Sequence, residues 1–265
     1  MEIVNQGMEF SLGFQKNIAT DFTFDINANA SFIENEVTKL PVSQILTGSI
    51  SGQGLSGERV QAVLNNQPIG TFYLLDWVGL DENGENIFRD VNGDNAITNA
   101  DRIVAGNAIP NIRYGISTFV GYKNLDLNLN FNGVSGNELY WNDQNGRFTM
   151  PQLIGGQNID KIGLNLNESA SNSAGASTRF LHDGSYFRLN NATLGYNLDT
   201  SGFLDFIREL RFSVTAQNLF TITDYPGFDP EVDTPRDVGG ITAAGIDATR
   251  YPPARTFQFA INLSF

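Results

Sequence analysis

Cysteine is absent from the 265 residues, which excludes disulfides, thiolate metal sites and cysteine nucleophiles together. A single histidine, His182, excludes sites built from several imidazoles. Basic residues are scarce: 16 Lys and Arg stand against 29 Asp and Glu, for a net charge of −13, which argues against a nucleic-acid partner. No apolar run approaches the roughly 20 residues that a membrane helix requires. Residues 1–5 lack the basic-then-apolar order of a secretory signal, so for an exported protein the leader is expected to be missing from this chain. Catalytic constellations are missing as well. The adjacent His182 and Asp183 have no nucleophile at partner spacing, and Gly133–Gly136 lacks the Gly-x-Ser-x-Gly frame. The expectation is a protein that is not an enzyme.

Alternation is what the chain has in abundance. Residues 255–265 place Phe257, Phe259, Ile261, Leu263 and Phe265 on one side of an extended chain, with Thr256, Gln258, Ala260, Asn262 and Ser264 on the other. The same pattern runs through Met8–Phe14 and through residues 21–32, where Phe22, Phe24, Ile26, Ala28, Ala30 and Phe32 share a face. Ile112, Tyr114, Ile116, Val120 and Tyr122 repeat it. After Lys123 and Asn124 the apolar parity flips to Leu125, Leu127, Leu129 and Phe131. A two-residue hairpin demands that flip and pairs Tyr122 with Leu125, Val120 with Leu127 and Ile116 with Phe131. Residues 185–198 and 210–216 are further strands. Thr71–Gly79 is apolar on both faces, so it packs on both sides and makes a poor barrel strand; residues 81–84 read as the turn of a hairpin returning through 86–89.

Connections then alternate in length. Short links (16–20, 123–124, 199–209) alternate with long ones of about 34–111, 133–184 and 221–254, so every long loop falls at one end of the sheet. The even-numbered face of residues 22–32, the odd-numbered face of 125–131 and the even-numbered face of 210–216 carry no ionised group, whereas the opposite faces carry Asp21, Asp25, Asp126, Glu209 and Arg211. Segregated loops and one uncharged face predict an all-β, antiparallel transmembrane β-barrel with short periplasmic turns and long extracellular loops. The alternative of a different class is a soluble, calcium-stabilised β-sandwich that binds carbohydrate.

Several segments together resemble a family. In order they are Gly7–Phe10, Gly70–Tyr73, Asp90–Asp94 with Ile97, Thr98 and Asp101, and Pro110 with Tyr114–Gly115. They continue with Asp183–Leu189 and Leu194–Tyr196, Gln217–Phe220, Gly227–Glu231, and Tyr251–Pro253 before the Phe-terminated strand. This set resembles the C-terminal part of the SusC/RagA class of TonB-dependent outer-membrane transporters, over nearly the whole chain. The resemblance implies a bacterial cell outer-membrane importer of glycans or peptides. It would work with a SusD-like surface lipoprotein and be energised by the TonB complex through a segment outside this chain. Barrels of this kind have about 22 strands around a plugged lumen, so residues 1–265 read as a C-terminal fragment of one, an open sheet if alone. The signal, plug and N-terminal strands are expected to be absent. Phe265 is implied as the terminal residue read by the assembly machinery.

Two candidate sites stand out. Residues 90–101 match a twelve-residue calcium loop, with Asp90, Asn92, Asp94, the Ala96 carbonyl, Thr98 and Asp101 at the ligand positions for a structural Ca²⁺. Asn95 replaces the usual Gly, and Asp101 the usual Glu. The competing reading is an Asx-rich turn leading into a short helix capped by Thr98. Trp77, Tyr140, Trp141 and Tyr225 are the aromatic candidates for stacking on substrate in the loops; the competing reading is that they pack the loops. Otherwise no cofactor is expected.

Overall fold

The computed structural model describes residues 1–52, 54–173, 175–200, 207–232, 243–248 and 250–265. In chain order the strands are β1 (Glu2–Ala19), β2 (Phe22–Thr38), β3 (Ile45–Ser49), β4 (Arg59–Val63), β5 (Thr71–Leu75), β6 (Trp77–Leu80), β7 (Asn86–Phe88), β8 (Arg102–Asn107), β9 (Ile112–Tyr122) and β10 (Leu125–Ser135). After β11 (Glu138–Trp141) come two short helices, α1 (Asn142–Arg147) and α2 (Met150–Ile154). The chain ends with β12 (Leu181–Asp183), β13 (Tyr186–Leu198), β14 (Glu209–Thr223), β15 (Ile246–Asp247) and β16 (Thr256–Ser264).

A seven-stranded sheet in the order β1-β2-β9-β10-β13-β14-β16 is the wall. Every neighbouring pair in it is antiparallel, so the wall is an open meander. Its register follows from size as well as polarity. Phe10 lies beside Ala30 and Leu12 beside Ala28, while Tyr114 and Ile116 flank the same alanines from the other strand. The β9–β10 hairpin pairs Tyr122 with Leu125, Val120 with Leu127 and Ile116 with Phe131, as the parity flip predicts. Neighbouring short turns are tied to one another, Lys123 N–H donating to the Asp21 carbonyl and Asn197 N–H to that of Asn124.

One face of this wall is left bare. Leu12 is 74% exposed and Phe259 78%, and Met8, Phe10, Leu194, Phe257 and Ile261 are exposed alongside them. The hydrophobic clusters lie elsewhere: the largest is built from Leu55, Phe72 and Leu74, Tyr140 and Phe180, and Ile246. A sandwich needs a second sheet on that apolar face. Among the described residues none covers it, so the sandwich is not the fold.

Several boundaries differ from the sequence expectation. β1 runs on to Ala19, leaving Thr20–Asp21 as the turn, because a register irregularity between Asn17 and Ala19 breaks the alternation. β14 continues to Thr223 past a second irregularity, opposite Leu189–Asn191, with Asn218 in the left-handed region at φ 54°. Of the link 199–209, residues 201–206 lie outside the described residues, as do 233–242 and 249 of the loop 221–254. The three long connections are also not plain loops. Residues 39–111 carry a four-stranded sheet, β3-β4-β5-β8, and the β6–β7 hairpin; 136–185 and 224–255 share a three-stranded sheet, β12-β11-β15. Thr71–Leu75 therefore belongs to this loop assembly and not to the wall.

The loops fold into one cap. Phe72 and Tyr140 stack with ring centroids 6.4 Å apart, Gln61 Nε2 donates to the Ala244 carbonyl, and the Ser51 amide donates to Asn142 Oδ1. Burying an aromatic of this size contributes about 1.5–3 kcal/mol, and Tyr140, Phe72 and Phe180 are all buried where segments from different loops meet.

Candidate functional site

Two polar regions follow from this architecture: the uncharged wall face has a charged back, and the cap is fastened to that back. On the polar face, Arg211 of β14 reaches across Gly195 to grip Asp126 with both terminal nitrogens, at 2.5 and 2.8 Å, and also donates to Asn197. Gly195 leaves room for that approach: a Cβ there would stand 2.1 Å from a guanidinium nitrogen, so the Arg211 side chain would have to move aside. Phe119 is an exception to the polarity: it lies on the Asp25 and Asn128 side of the sheet. It helps line a groove of about 730 Å³ at the short-turn end with Asp21, Lys123, Asp126 and Arg211.

At the long-loop end the hub is Arg188 of β13. Its Nε donates to Thr221 Oγ1, Nη1 to Glu231 Oε2 at 2.7 Å, and Nη2 to Asp229 Oδ2 at 2.8 Å. Glu231 in turn accepts from the Tyr186 hydroxyl and from Asn132, and the Glu231 amide donates to Asp229 Oδ1. All five donors of the fork lie on a planar group suited to two carboxylates at once. The third loop is thereby clamped onto the polar face of the wall. Sequence reasoning did not single out these residues; the signal was an arginine inside Asp183–Leu189 and two acids inside Gly227–Glu231, motifs quoted only for resemblance.

The aromatic candidates are packing groups in this structure. Tyr140 is fully buried and its hydroxyl accepts from Asn145 Nδ2. Trp141 is buried among Phe148, His182 and Tyr225. Tyr225 is buried and donates its hydroxyl to Asp247 Oδ2 at 2.7 Å. Trp77 is half-buried, with Arg179 over its ring and its indole N–H on Asn86. No ring of the buried three is presented to a ligand here. Burial raises the carboxyl groups of Asp247 and Glu138 above the usual carboxylate range and lowers His182 below the usual imidazole value. His182 Nε2 lies 2.8 Å from Gln144 Oε1, which ties the ring to α1 of its own connection, and the ring packs edge-on against Tyr225 of the third loop.

Residues 90–101 form the Asx-rich turn. Asp90 accepts from the amides of Gly93 and Asn95, Asn92 from Asp94, and Asp94 from Ala96. Thr98 caps a short 3-10 turn, Asn99–Asp101, in a capping box with Asp101. Asn95 takes the left-handed conformation at φ 63°, the position where a calcium loop has Gly. Hydrogen bonds from the amides of Thr98, Val91 and Asn92 hold the Asp101 carboxyl below the usual range. Among the described residues no group of three or more His, Cys, Asp or Glu is placed to hold a metal ion. Phe265 follows the last strand and is exposed.

No protein-family model matches the chain. Over all of its length it is 31% identical to TonB-dependent receptor P3 of Formosa agariphila, and over 98% of it 29% identical to TonB-dependent receptor SusC of Bacteroides thetaiotaomicron. It spans less than a third of those curated relatives, 29% and 26% of their lengths. The RagAB peptide transporter structure superposes with a TM-score of 0.76 at 21% identity, covering 99% of this chain and 29% of that one. The antiparallel wall, its bare apolar face and this end-to-end similarity agree: the chain belongs to the SusC/RagA class of TonB-dependent receptors and forms part of such a barrel with its loops.

Proposed function

We propose that the chain is wall and outer rim of an outer-membrane importer that takes up glycans or peptides. The apolar face of the wall would meet lipid, the face bearing Asp126 and Arg211 the lumen, and the cap the outside of the cell. A SusD-like surface lipoprotein would dock over the cap, and the TonB complex would act through parts of the receptor outside these residues. The observation that carries this reading is the seven-stranded meander, exposed and apolar on one face, with all its long connections at one end. A structural Ca²⁺ in loop 90–101 belongs to the proposal. It rests on the ligand spacing and the left-handed Asn95.

An epitope inserted after the exposed Gly156, in the second loop, tests orientation. Antibody binding to intact cells and recovery in the outer-membrane fraction are expected; a signal confined to the periplasm or cytosol would overturn the reading. Calcium is tested by microcalorimetry on the intact receptor, where binding heat is expected and should vanish in Asp90→Ala. No heat with the wild type removes the ion.

A further inference from the structure

At the long-loop end, β1 and β2 run on past their neighbour. β9 begins at Ile112, opposite Phe32, and just beyond it the Ile33 amide donates to the Asn111 carbonyl. Above that step two hollows open, of about 550 and 300 Å³, which share Gln6, Glu34 and Asn111 and so form one groove. Met8, Phe32 and Ile112 line its lower part, and Val4, Glu36 and Ile109 its upper part.

The sheet face changes character along this groove. Phe10, Met8, Ala30 and Phe32 belong to the apolar side, and the next pairs on that side are Gln6 with Glu34 and Val4 with Glu36. At roughly 3.3 Å per residue, Glu36 stands about 13 Å beyond Phe32 along the strand. Met8, Phe32, Glu34 and Glu36 are all exposed. Carboxylates therefore follow directly on the apolar band, at the level where lipid headgroups begin.

Charge selects the occupant. Anionic lipids are held by clusters of Lys and Arg, and among the described residues lining the two hollows there is neither. Lys39, just past the end of β2, is paired with Glu2. Gln6 Nε2 donates to Glu34 Oε2 at 3.0 Å, which holds that carboxylate in place. With no basic residue in the groove, Glu34 and Glu36 repel a phosphate and attract an ammonium. β1 is the edge of the sheet, and a strand pairing with it would lie in the plane of the wall, leaving the open side of the groove clear.

We propose that this groove holds a membrane lipid with an amine headgroup. Its ammonium sits on Glu34 and Glu36, and an acyl chain lies over Met8, Phe32 and Ile112. The site rests on the importer reading, in which this face meets lipid, and it names the class of lipid met there.

The test uses the intact receptor in neutral detergent, stripped of its own lipid, and two probes with identical acyl chains. Phosphatidylethanolamine and phosphatidylglycerol are each titrated, and the tightest-held lipid is followed by native mass spectrometry. The ethanolamine lipid should bind about five-fold more tightly. Glu34→Gln combined with Glu36→Gln should bring the two lipids level, and Phe32→Ala should weaken both alike. Equal binding of the two by the wild type, or a preference that survives the double substitution, overturns the site. So does a preference for phosphatidylglycerol that appears on adding Ca²⁺, since the carboxylates would then hold a cation bridged to phosphate. The loop epitope separates the two readings. A wild-type receptor that does not display it removes the importer reading, whereas a displayed receptor without lipid preference removes the lipid site alone.

Discussion

The guanidinium of Arg188 lies 2.8 Å from the carboxylate of Asp229, 41 residues further along the chain, and neither side chain is more than 3% exposed. A second carboxylate, Glu231, takes the other arm of the fork. This links the barrel wall to the rim: β13 supplies the cation, the third loop both anions. Buried pairs of this kind specify geometry more than they stabilise, but breaking one leaves charges without partners.

Removing Arg188 should therefore loosen the seat of the third loop on the wall. Arg188→Ala leaves the buried Asp229 with only the Glu231 amide and a 3.9 Å contact to Arg250, at a cost that approaches the roughly 3–5 kcal/mol of a broken buried pair. The third loop should become sensitive to protease in the folded, surface-displayed receptor. Arg188→Lys should recover only part, since an ammonium cannot serve both carboxylates in the fork geometry. Arg188→Met combined with Asp229→Asn should be milder than Arg188→Ala alone. Equal protease resistance in wild type and Arg188→Ala would show that the latch does not hold the loop.

The face assignment predicts a contrast between adjacent residues. Val214 pairs with Leu194 and Phe259 on the apolar face, while the Thr215 hydroxyl lies 2.9 Å from that of Thr193 on the polar one. Val214→Arg puts a charge against lipid, at about 2–4 kcal/mol near mid-depth, and Thr215→Arg puts it in the lumen. Outer-membrane levels of the intact receptor should drop for the first and hold for the second. Equal levels would refute the assignment.

Gly195 and Arg211 should be coupled. Gly195→Val drives a side chain into the guanidinium and breaks its grip on Asp126. Assembly of the intact barrel should weaken, and Arg211→Ala in the same molecule should recover part of the loss because the clash disappears. Losses that simply add, as for independent sites, would mean the glycine serves another purpose.

What could be read beforehand, and what could not, has a physical cause. The β9–β10 register was legible because a two-residue turn leaves one way to keep Tyr122 and Leu125 on the same face. The ends of β1 and β14 were hidden by irregularities at Asn17–Ala19 and opposite Leu189–Asn191, each of which breaks the period that reveals a strand. β3 and β4 were invisible for a different reason: Thr47 and Gly48 in β3, and Val60, Gln61, Ala62 and Val63 in β4, are buried in succession, so no alternation exists to find. The calcium-type spacing of residues 90–101 and the Thr98 cap were both legible, and the turn and cap are what the fold displays. The latch was not, because partners separated by 41 residues leave no local pattern. Tyr140, Trp141 and Tyr225 look alike in sequence whether they face a ligand or a core; only the closing of three loops on one another decides between these.

The same closure should make the cap sensitive to acid through His182. The ring packs against Trp141 and Tyr225, bonds Gln144, and is followed directly by Asp183 on β12. Burial holds its pKa below the ordinary value of 6.5. The folded cap therefore resists a proton that the unfolded loop accepts. Stability from this group is complete above about pH 6.5 and is lost as pH falls from there toward the folded value. Glu138 and Asp247 act in the opposite sense: burial raises them, so the folded cap takes up their protons more readily than the unfolded loop. His182→Gln isolates the imidazole, since Gln keeps a hydrogen-bonding side chain without a titration in this range. Protection factors of residues 138–141 and 181–183 in the intact receptor, which remove the slower intrinsic exchange at lower pH, should fall between pH 7 and pH 5.5 in the wild type relative to His182→Gln. Identical pH profiles for the two would mean that His182 does not couple the cap to acid.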